Sequence, residues 1–417
     1  MIRRLIVLLV ALVLFAAACG GGDSDEAIVT ESLVVIDDTD DEPESAAPDT
    51  ESTTSTTVTV PAGPPTTRGP APVVVVEPLT GVGSITVFAG EPVYRGVLGQ
   101  IDPDRNIVSP AALPPDVPAA GISPLTGLPI DPLTADRPAM VVKIDNTEKG
   151  RPQEALALAD VVFVEQIEGG FTRLVVVFHS NTPAVIGPIR SGRSSDIGIF
   201  GSFNNPIFVW SGANRVQGAI IRRQDFVDLG AGTRTEFYRA DDRPGTYDLM
   251  ADPAVLWGIA EANEDGGIPP AHFEFQNDEV ALPNTAIPVD HADISYPSVT
   301  SSWTWDGAAR GWRRAQSGTE HVDAKGNPVI AANVLVAEVE QVWTGSVDAI
   351  GTRVYEGKFV GSGVGYVFVD GHMIEVTWTK PSIHSVATWT TADGIPVALR
   401  PGQTWIELAP IGGLTAG

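Results

Sequence analysis

Between residues 145 and 248 the chain gathers side chains that could hold a charged ligand: Asp145, Asn146, Arg151, Glu165, Glu168, Arg173, Arg190, Arg193, Asp196, Arg239, Arg243 and Asp248. Their focus is Gly187-Pro188-Ile189-Arg190-Ser191-Gly192-Arg193-Ser194-Ser195-Asp196, a turn-rich loop after an apolar run. Glycine, serine and arginine together can offer backbone N–H groups, hydroxyls and guanidinium forks to an anion. Phe237-Tyr238-Arg239 with Arg243 adds a second arginine pair. The expected ligand-binding set is therefore Asp145, Asn146, Arg151, Glu168, Arg173, Arg190, Ser191, Arg193, Asp196, Arg239 and Arg243. The competing reading is internal pairing, because an acidic chain needs arginine partners for its carboxylates.

Catalytic chemistry has less support. Glu165 and Glu168 could form an acid/base pair, yet Gly169-Gly170 beside them favours a hairpin-turn role. Ser191, Ser194 and Ser195 have no identifiable base, so no catalytic residue is assigned. Of the six histidines, none forms an H-x-x-x-H or H-E-x-x-H pair. His321-Val322-Asp323 reads as a structural bond rather than a metal ligand set. No metal and no cofactor is expected. No G-x-S-x-G, P-loop or G-x-G-x-x-G turn is present.

The elements that must position these residues begin near residue 136. Ala139–Ile144, Val161–Glu165, Thr172–Phe178 and Pro206–Trp210 read as strands. A short helix is expected over Gln153–Ala159 and another over Asn214–Arg223, with Val216 and Ile220 on one face. Asp252-Pro253 starts a further helix with an N-cap acid and a first-turn proline. Apolar strands alternating with helices imply a sheet with covered faces, and ligands collect at strand C-terminal ends in such sheets. After a polar stretch the period changes to two. Asp370-Gly371 and Asp393-Gly394 are hairpin signals, and Trp303, Trp305, Trp312, Trp343, Trp378, Trp389 and Trp405 crowd this part, mostly as core. The fold class is thus α+β: an N-terminal α/β domain with a mixed, helix-covered sheet (136–270), a linker (271–300), and a mainly antiparallel β domain (301–412).

The N-terminus carries a different chemistry. Met1-Ile2-Arg3-Arg4 precedes the unbroken apolar run Leu5–Ala18. That run is too short for a spanning helix, which needs about 20 residues, and suits a signal peptide over 1–18. It ends in Ala16-Ala17-Ala18-Cys19-Gly20, and Cys19 is the chain's one cysteine. Small residues before that thiol read as a lipobox, with lipidation at Cys19 anchoring the chain to the outer face of the cell membrane. One cysteine also excludes a disulfide framework and a Cys-rich metal site. Residues 19–72 read as a disordered tether: 20–60 hold 12 acids and no Lys or Arg, followed by Ser/Thr- and Pro-rich segments. Residues 73–135 read as an extended lead-in with a possible small β element.

The 417-residue chain has a net charge of −26 and is 43% hydrophobic, enough for a large core and unsuited to a nucleic-acid partner. The acidic tether supplies much of that charge, so the total says little about the ligand.

Several ordered motifs resemble the YerB-like bacterial lipoproteins, which are built on paired N- and C-terminal domains of unknown function. These are Pro124-Leu125-Thr126-Gly127-Leu128, Arg137–Asn146, Arg151-Pro152-Gln153, Glu168–Arg173, Ile186–Ser191, Phe237-Tyr238-Arg239, Trp303–Asp306, His321-Val322-Asp323 and Pro401–Ile406. One departure is Arg243-Pro244-Gly245-Thr246-Tyr247-Asp248, where the family usually has a Pro-His-Asn-type triplet. The resemblance implies a two-part envelope lipoprotein and carries no established reaction. Three functions follow from the residues. The first is a membrane-anchored protein binding an anionic, glycan or other polar envelope ligand. The second is an envelope enzyme acting on a phosphate-bearing or glycan substrate. The third is a scaffold that contacts another envelope protein.

Overall fold

The computed structural model describes residues 73–75, 86–88, 121–232, 234–263, 265–276, 282–348 and 351–417. The segments expected as signal peptide and tether, Cys19, and most of the lead-in lie outside the described residues.

Met140–Asp145, Val161–Gln166 and Thr172–Phe178 are strands in which every residue is buried. Their β-branched runs suit a pleated surface covered on both sides. Thr172–Phe178 runs antiparallel to both of the others, and Met140–Asp145 continues in parallel to Ile207–Val209. On the far side, Val161–Gln166 pairs in parallel with Thr404–Pro410, with Val161 opposite Thr404 and Val164 opposite Glu407. Thr404–Pro410 pairs in parallel with Asn333–Val339, which then meets Gly361–Val369 and His372–Lys380 in antiparallel order. One mixed sheet of 11 strands therefore includes strands from both parts of the sequence.

The period of two decides which side chain meets which layer. Met140, Val142 and Ile144 share a core with Trp303, Trp312, Val334, Val336 and Trp405. On that face lies a second, antiparallel sheet ordered Thr319–Glu320, Gly311–Gln316, Thr300–Asp306, His291–Ser295, Leu414–Ala416. Val141, Phe163, Val175 and Val177 point the other way, into a core with Ile197, Phe200, Phe203, Leu335, Val367 and Trp378.

The described residues are mostly strand, with few helices, and the sheets are mixed and antiparallel. Helices cover the main sheet only in places: Ile197–Phe200 has four residues, Arg215–Ile221 seven and Pro253–Ala262 ten. The Gln153–Ala159 helix is reduced to a 3-10 turn, Leu156–Leu158, because Ala155 sits at φ +63° and ends any helical run there. Val216 and Ile220 are exposed on the Arg215–Ile221 helix, and its buried face is Gln217, Gly218 and Ile221. Asp252 caps the third helix, accepting from Ala254 N at 2.9 Å.

The stretch expected as a linker, 271–300, supplies Ile287–Pro288 to the main sheet and His291–Ser295 to the second. Asp370-Gly371 closes a hairpin in which Val369 faces His372, with positive φ at both turn residues. Of the tryptophans, Trp303, Trp312, Trp378, Trp389 and Trp405 are buried core. Trp343 stands half exposed, with the Arg353 guanidinium 5.0 Å from its ring.

Candidate functional site

Asp145 and Asn146 are neighbours in sequence and belong to different sites. Asp145 follows Lys143 on the face of the sheet that carries Val141 and Val175, and Asn146 turns to the face under the second sheet.

On the first face a cluster of charge is buried. Lys143 Nζ contacts Glu165 Oε1 and lies 2.6 Å from Asp196 Oδ1; all three are at most 1% exposed. Burial and the charge of Asp196 push the Glu165 carboxyl up to about 7. Arg193 grips Glu168 through two parallel bonds, Nε to Oε1 at 2.5 Å and Nη2 to Oε2 at 2.8 Å. Asp196 Oδ2 accepts from Arg193 N at 2.7 Å and so fixes the turn that carries the arginine. Arg173 Nη1 donates to Ser191 O at 2.9 Å. Burial, with Arg193 and Arg190 nearby, lowers the Arg173 guanidinium to about 10. Arg190 Nε lies 2.8 Å from Asp145 Oδ2, whose other oxygen takes Thr147 N at 2.7 Å. Gly150 is required here, since a Cβ would collide with the Asp145 carboxylate.

The arm formed by Gln341–Val347 and Arg353–Gly357 closes over this cluster. Glu356 accepts from Ser194 Oγ at 2.5 Å, and Ser346 accepts from Gln217 Nε2 at 3.1 Å. The cluster holds four cations (Lys143, Arg173, Arg190, Arg193) and four carboxylates (Asp145, Glu165, Glu168, Asp196). It balances itself. Arg173 and Arg193 thus face protein partners, and Glu165 and Glu168 serve separate cations rather than one substrate.

On the opposite face Asn146 joins a chain of buried polar groups that sequence reasoning did not assemble. Its Nδ2 donates to Thr172 Oγ1 at 2.8 Å and to Gln316 Oε1 at 2.7 Å. Gln316 Nε2 returns a bond to Asn146 O at 2.8 Å. Arg314 Nη1 lies 2.6 Å from His321 Nδ1, and guanidinium can only donate, so Nδ1 accepts. His321 Nε2 then carries the proton and donates to Gln153 Oε1 at 2.7 Å. Burial, with Arg314 and Arg151 nearby, drives the imidazole well below its usual range and keeps it neutral. Glu407 receives Tyr296 Oη at 2.8 Å, Ser301 Oγ at 2.6 Å and Trp303 Nε1 at 3.0 Å. These bonds join strands 140–178 to strands 291–316. They leave no opening to solvent, so Asn146 is a joint between layers.

The open site lies at the edge of the charge cluster. A cleft of about 450 Å³ is lined by Ile189, Arg190, Ser211, Ala231, Gly232, Arg234, Phe237, Tyr238, Arg239, Thr246 and Leu249. Three of these are arginines and none is a carboxylate. Arg190 is clamped from behind: Nη1 donates to Thr246 O at 2.8 Å, and the guanidinium lies 5.2 Å from the Tyr247 ring. Arg239 is 63% exposed and bonds Asp248 at 2.5 Å through Nη1 only. Arg234 donates to Asp228 O at 3.1 Å. Sequence reasoning passed over Arg234, which stands alone in a Gly/Thr-rich turn. The cue was its spacing of five residues before Arg239. Arg243 points away, to Pro152 O at 2.8 Å, and Arg151 sits near Arg314 and His321 instead.

A second open cleft, about 700 Å³, contains Ser202, Asn204, Asn205, Asp225 and His384. Behind it Ser202 Oγ is 3.2 Å from His272 Nε2, and His272 Nδ1 is 3.0 Å from Pro270 O. The geometry resembles an activated hydroxyl. Burial holds His272 down at about 3, however, and among the described residues no carboxylate supports an imidazolium, so this pair bonds without acting as a base. Among the described residues no group of three or more His, Cys, Asp or Glu side chains could hold a metal ion.

The fold and site define a β-rich protein in which two sequence segments share one sheet and an arginine-lined cleft opens at its edge. The chain belongs to a family of proteins of unknown function. Residues 125–267 match "Protein of unknown function (DUF3048) N-terminal domain", and residues 292–406 match the corresponding C-terminal domain. It is similar to "Putative lipoprotein YerB" of Bacillus subtilis (strain 168), with 27% identity over 300 residues, 69% of this chain and 86% of that one. The crystal structure of YerB protein from Bacillus subtilis has the same fold: TM-score 0.61, 23% identity, covering 71% of this chain and 99% of the other. The resemblance read from the sequence motifs is thereby shown.

Proposed function

We propose that this protein is a lipid-anchored protein of the bacterial envelope that binds an anionic ligand in the Arg190–Arg234–Arg239 cleft. The anchor is supported by the apolar leader ending at Cys19 and by the lipoprotein name of the Bacillus subtilis relative. Ligand binding rests on one observation: the residues lining the cleft include three arginines and no carboxylate, in a chain of net charge −26. Arg190 is held rigid, so little side-chain entropy is lost when it meets a ligand. Tyr238 and Phe237 supply flat walls beside the guanidinium groups, and Ser211 and Thr246 supply hydroxyls.

Guanidinium forks suit phosphate or carboxylate oxygens. Titration with a glycerol-phosphate oligomer, and in parallel a glucuronate oligomer, tests the reading. Saturable binding of one of them that weakens as salt rises is expected. Arg239→Ala, at an exposed position, should cost about 1.5–3 kcal/mol of affinity without loss of fold. Absence of saturable binding to either probe would remove the basis for a ligand site.

A further inference from the structure

We propose that Lys143 and Glu165 are the two ends of an intramolecular isopeptide bond, formed with Asp196 carrying the proton. Lys143 and Glu165 stand on strands separated by Thr172–Phe178, with Lys143 opposite Val175 and Glu165 opposite Arg173. The lysine stem crosses that middle strand and brings Nζ into contact with Glu165 Oε1, with Asp196 Oδ1 2.6 Å away. The three side chains are 0%, 1% and 0% exposed. Nζ donates to no other group in the described structure.

Three features make this arrangement suited to condensation. Burial favours neutral forms over ions and raises the Glu165 carboxyl to about 7, so a proton handed on from the ammonium through Asp196 is readily accepted by the Glu165 carboxylate. Fixed contact replaces a bimolecular encounter, which in well-oriented systems is worth an effective concentration of roughly 10⁵ M or more. The Asp196 carboxylate can take a proton from the ammonium and later return it to the leaving oxygen.

The step balances. The ammonium passes one proton to Asp196, and the free amine attacks Cδ of Glu165. The new N–C bond forms, one C–O bond breaks, and the leaving oxygen departs as water with two protons from the former ammonium. No electron transfer is involved. The cluster goes from four cations and four carboxylates to three of each, so its charge balance is kept. The product ties two strands of the main sheet across a third. A chain with one cysteine has no intrachain disulfide available for such a tie.

Mass spectrometry of the purified full chain reads the result directly. The tryptic peptide containing Lys143 should appear joined to the one containing Glu165, lighter by one water, about 18 Da. Cleavage after Lys143 should be lost. Lys143→Arg keeps the positive charge and should restore separate peptides of full mass, with the fold checked by circular dichroism; Asp196→Asn should do the same. Separate, full-mass Lys143 and Glu165 peptides from folded wild-type protein would overturn the proposal. So would a loss of one water that persists in Lys143→Arg.

Discussion

Glu407 takes hydrogen bonds from Tyr296, Ser301 and Trp303 and lies 3.9 Å from Arg314 Nε, all without solvent. Removing one member of such a set leaves the others buried and unpaired. Glu407→Ala should therefore destabilise the protein by about 3–5 kcal/mol, measured by urea unfolding. The buried histidines give a pH dependence of definite sign. Burial lowers His272 to about 3 and His179 to about 4, and drives His321 well below its usual range. The folded state thus binds fewer protons than the unfolded state once pH drops below the ordinary histidine value of about 6.5. Stability contributed by neutral histidine is present above that value and is lost as pH falls from about 6.5 toward 4. The raised carboxyls of Glu165 and Asp160 act in the opposite sense over the same range, so the histidine part is read by comparison: a His179→Gln variant whose thermal midpoint falls between about pH 6.5 and 4.5 as steeply as that of the unsubstituted protein would contradict this.

Secondary-structure elements differ in what they contribute. The Thr404–Pro410 strand joins sheet strands from both sequence segments, and Ile406 and Leu408 are buried in its core. Ile406→Ala should cost about 2–5 kcal/mol. Asp252→Ala removes only the cap of the Pro253–Ala262 helix and should cost about 1 kcal/mol. Equal costs in equilibrium unfolding would show that the shared strand has no special weight. The strands were legible because their runs of Val, Ile and Phe are dictated by burial on both faces, and the Asp370-Gly371 turn because positive φ restricts its chemistry. Helices were less legible. The Gln153–Ala159 segment has helical composition, yet Ala155 adopts a left-handed conformation that composition does not reveal. The arginine loop was visible as a cluster of residue types. Which arginines turn inward depended on contacts to Glu168 and Ser191 O, and on a closing arm more than 150 residues later in sequence.

At the scale of the molecule, the described residues fall within one compact unit, Arg68–Gly417. A break in sequence period between 270 and 300 suggested two domains, but the main sheet and the Asn146–Gln316 and Gln153–His321 bonds run across it. Fragments 121–270 and 271–417 expressed apart should fail to fold, because each would expose a sheet edge and half of a buried polar chain. Two stable, separately folded fragments would refute this. The same organisation places charge in two settings: a closed cluster inside, and at the edge a cleft whose three arginines reach solvent while Arg190 and Arg239 also pair with Asp145 and Asp248. Hydrogen–deuterium exchange of the full chain with and without a glycerol-phosphate oligomer tests that division most directly. Protection is expected at residues 189–190, 231–239 and 246–249, where the cleft is lined. Protection confined to the other cleft, at 201–205 and 268–270, or none at all, would contradict it.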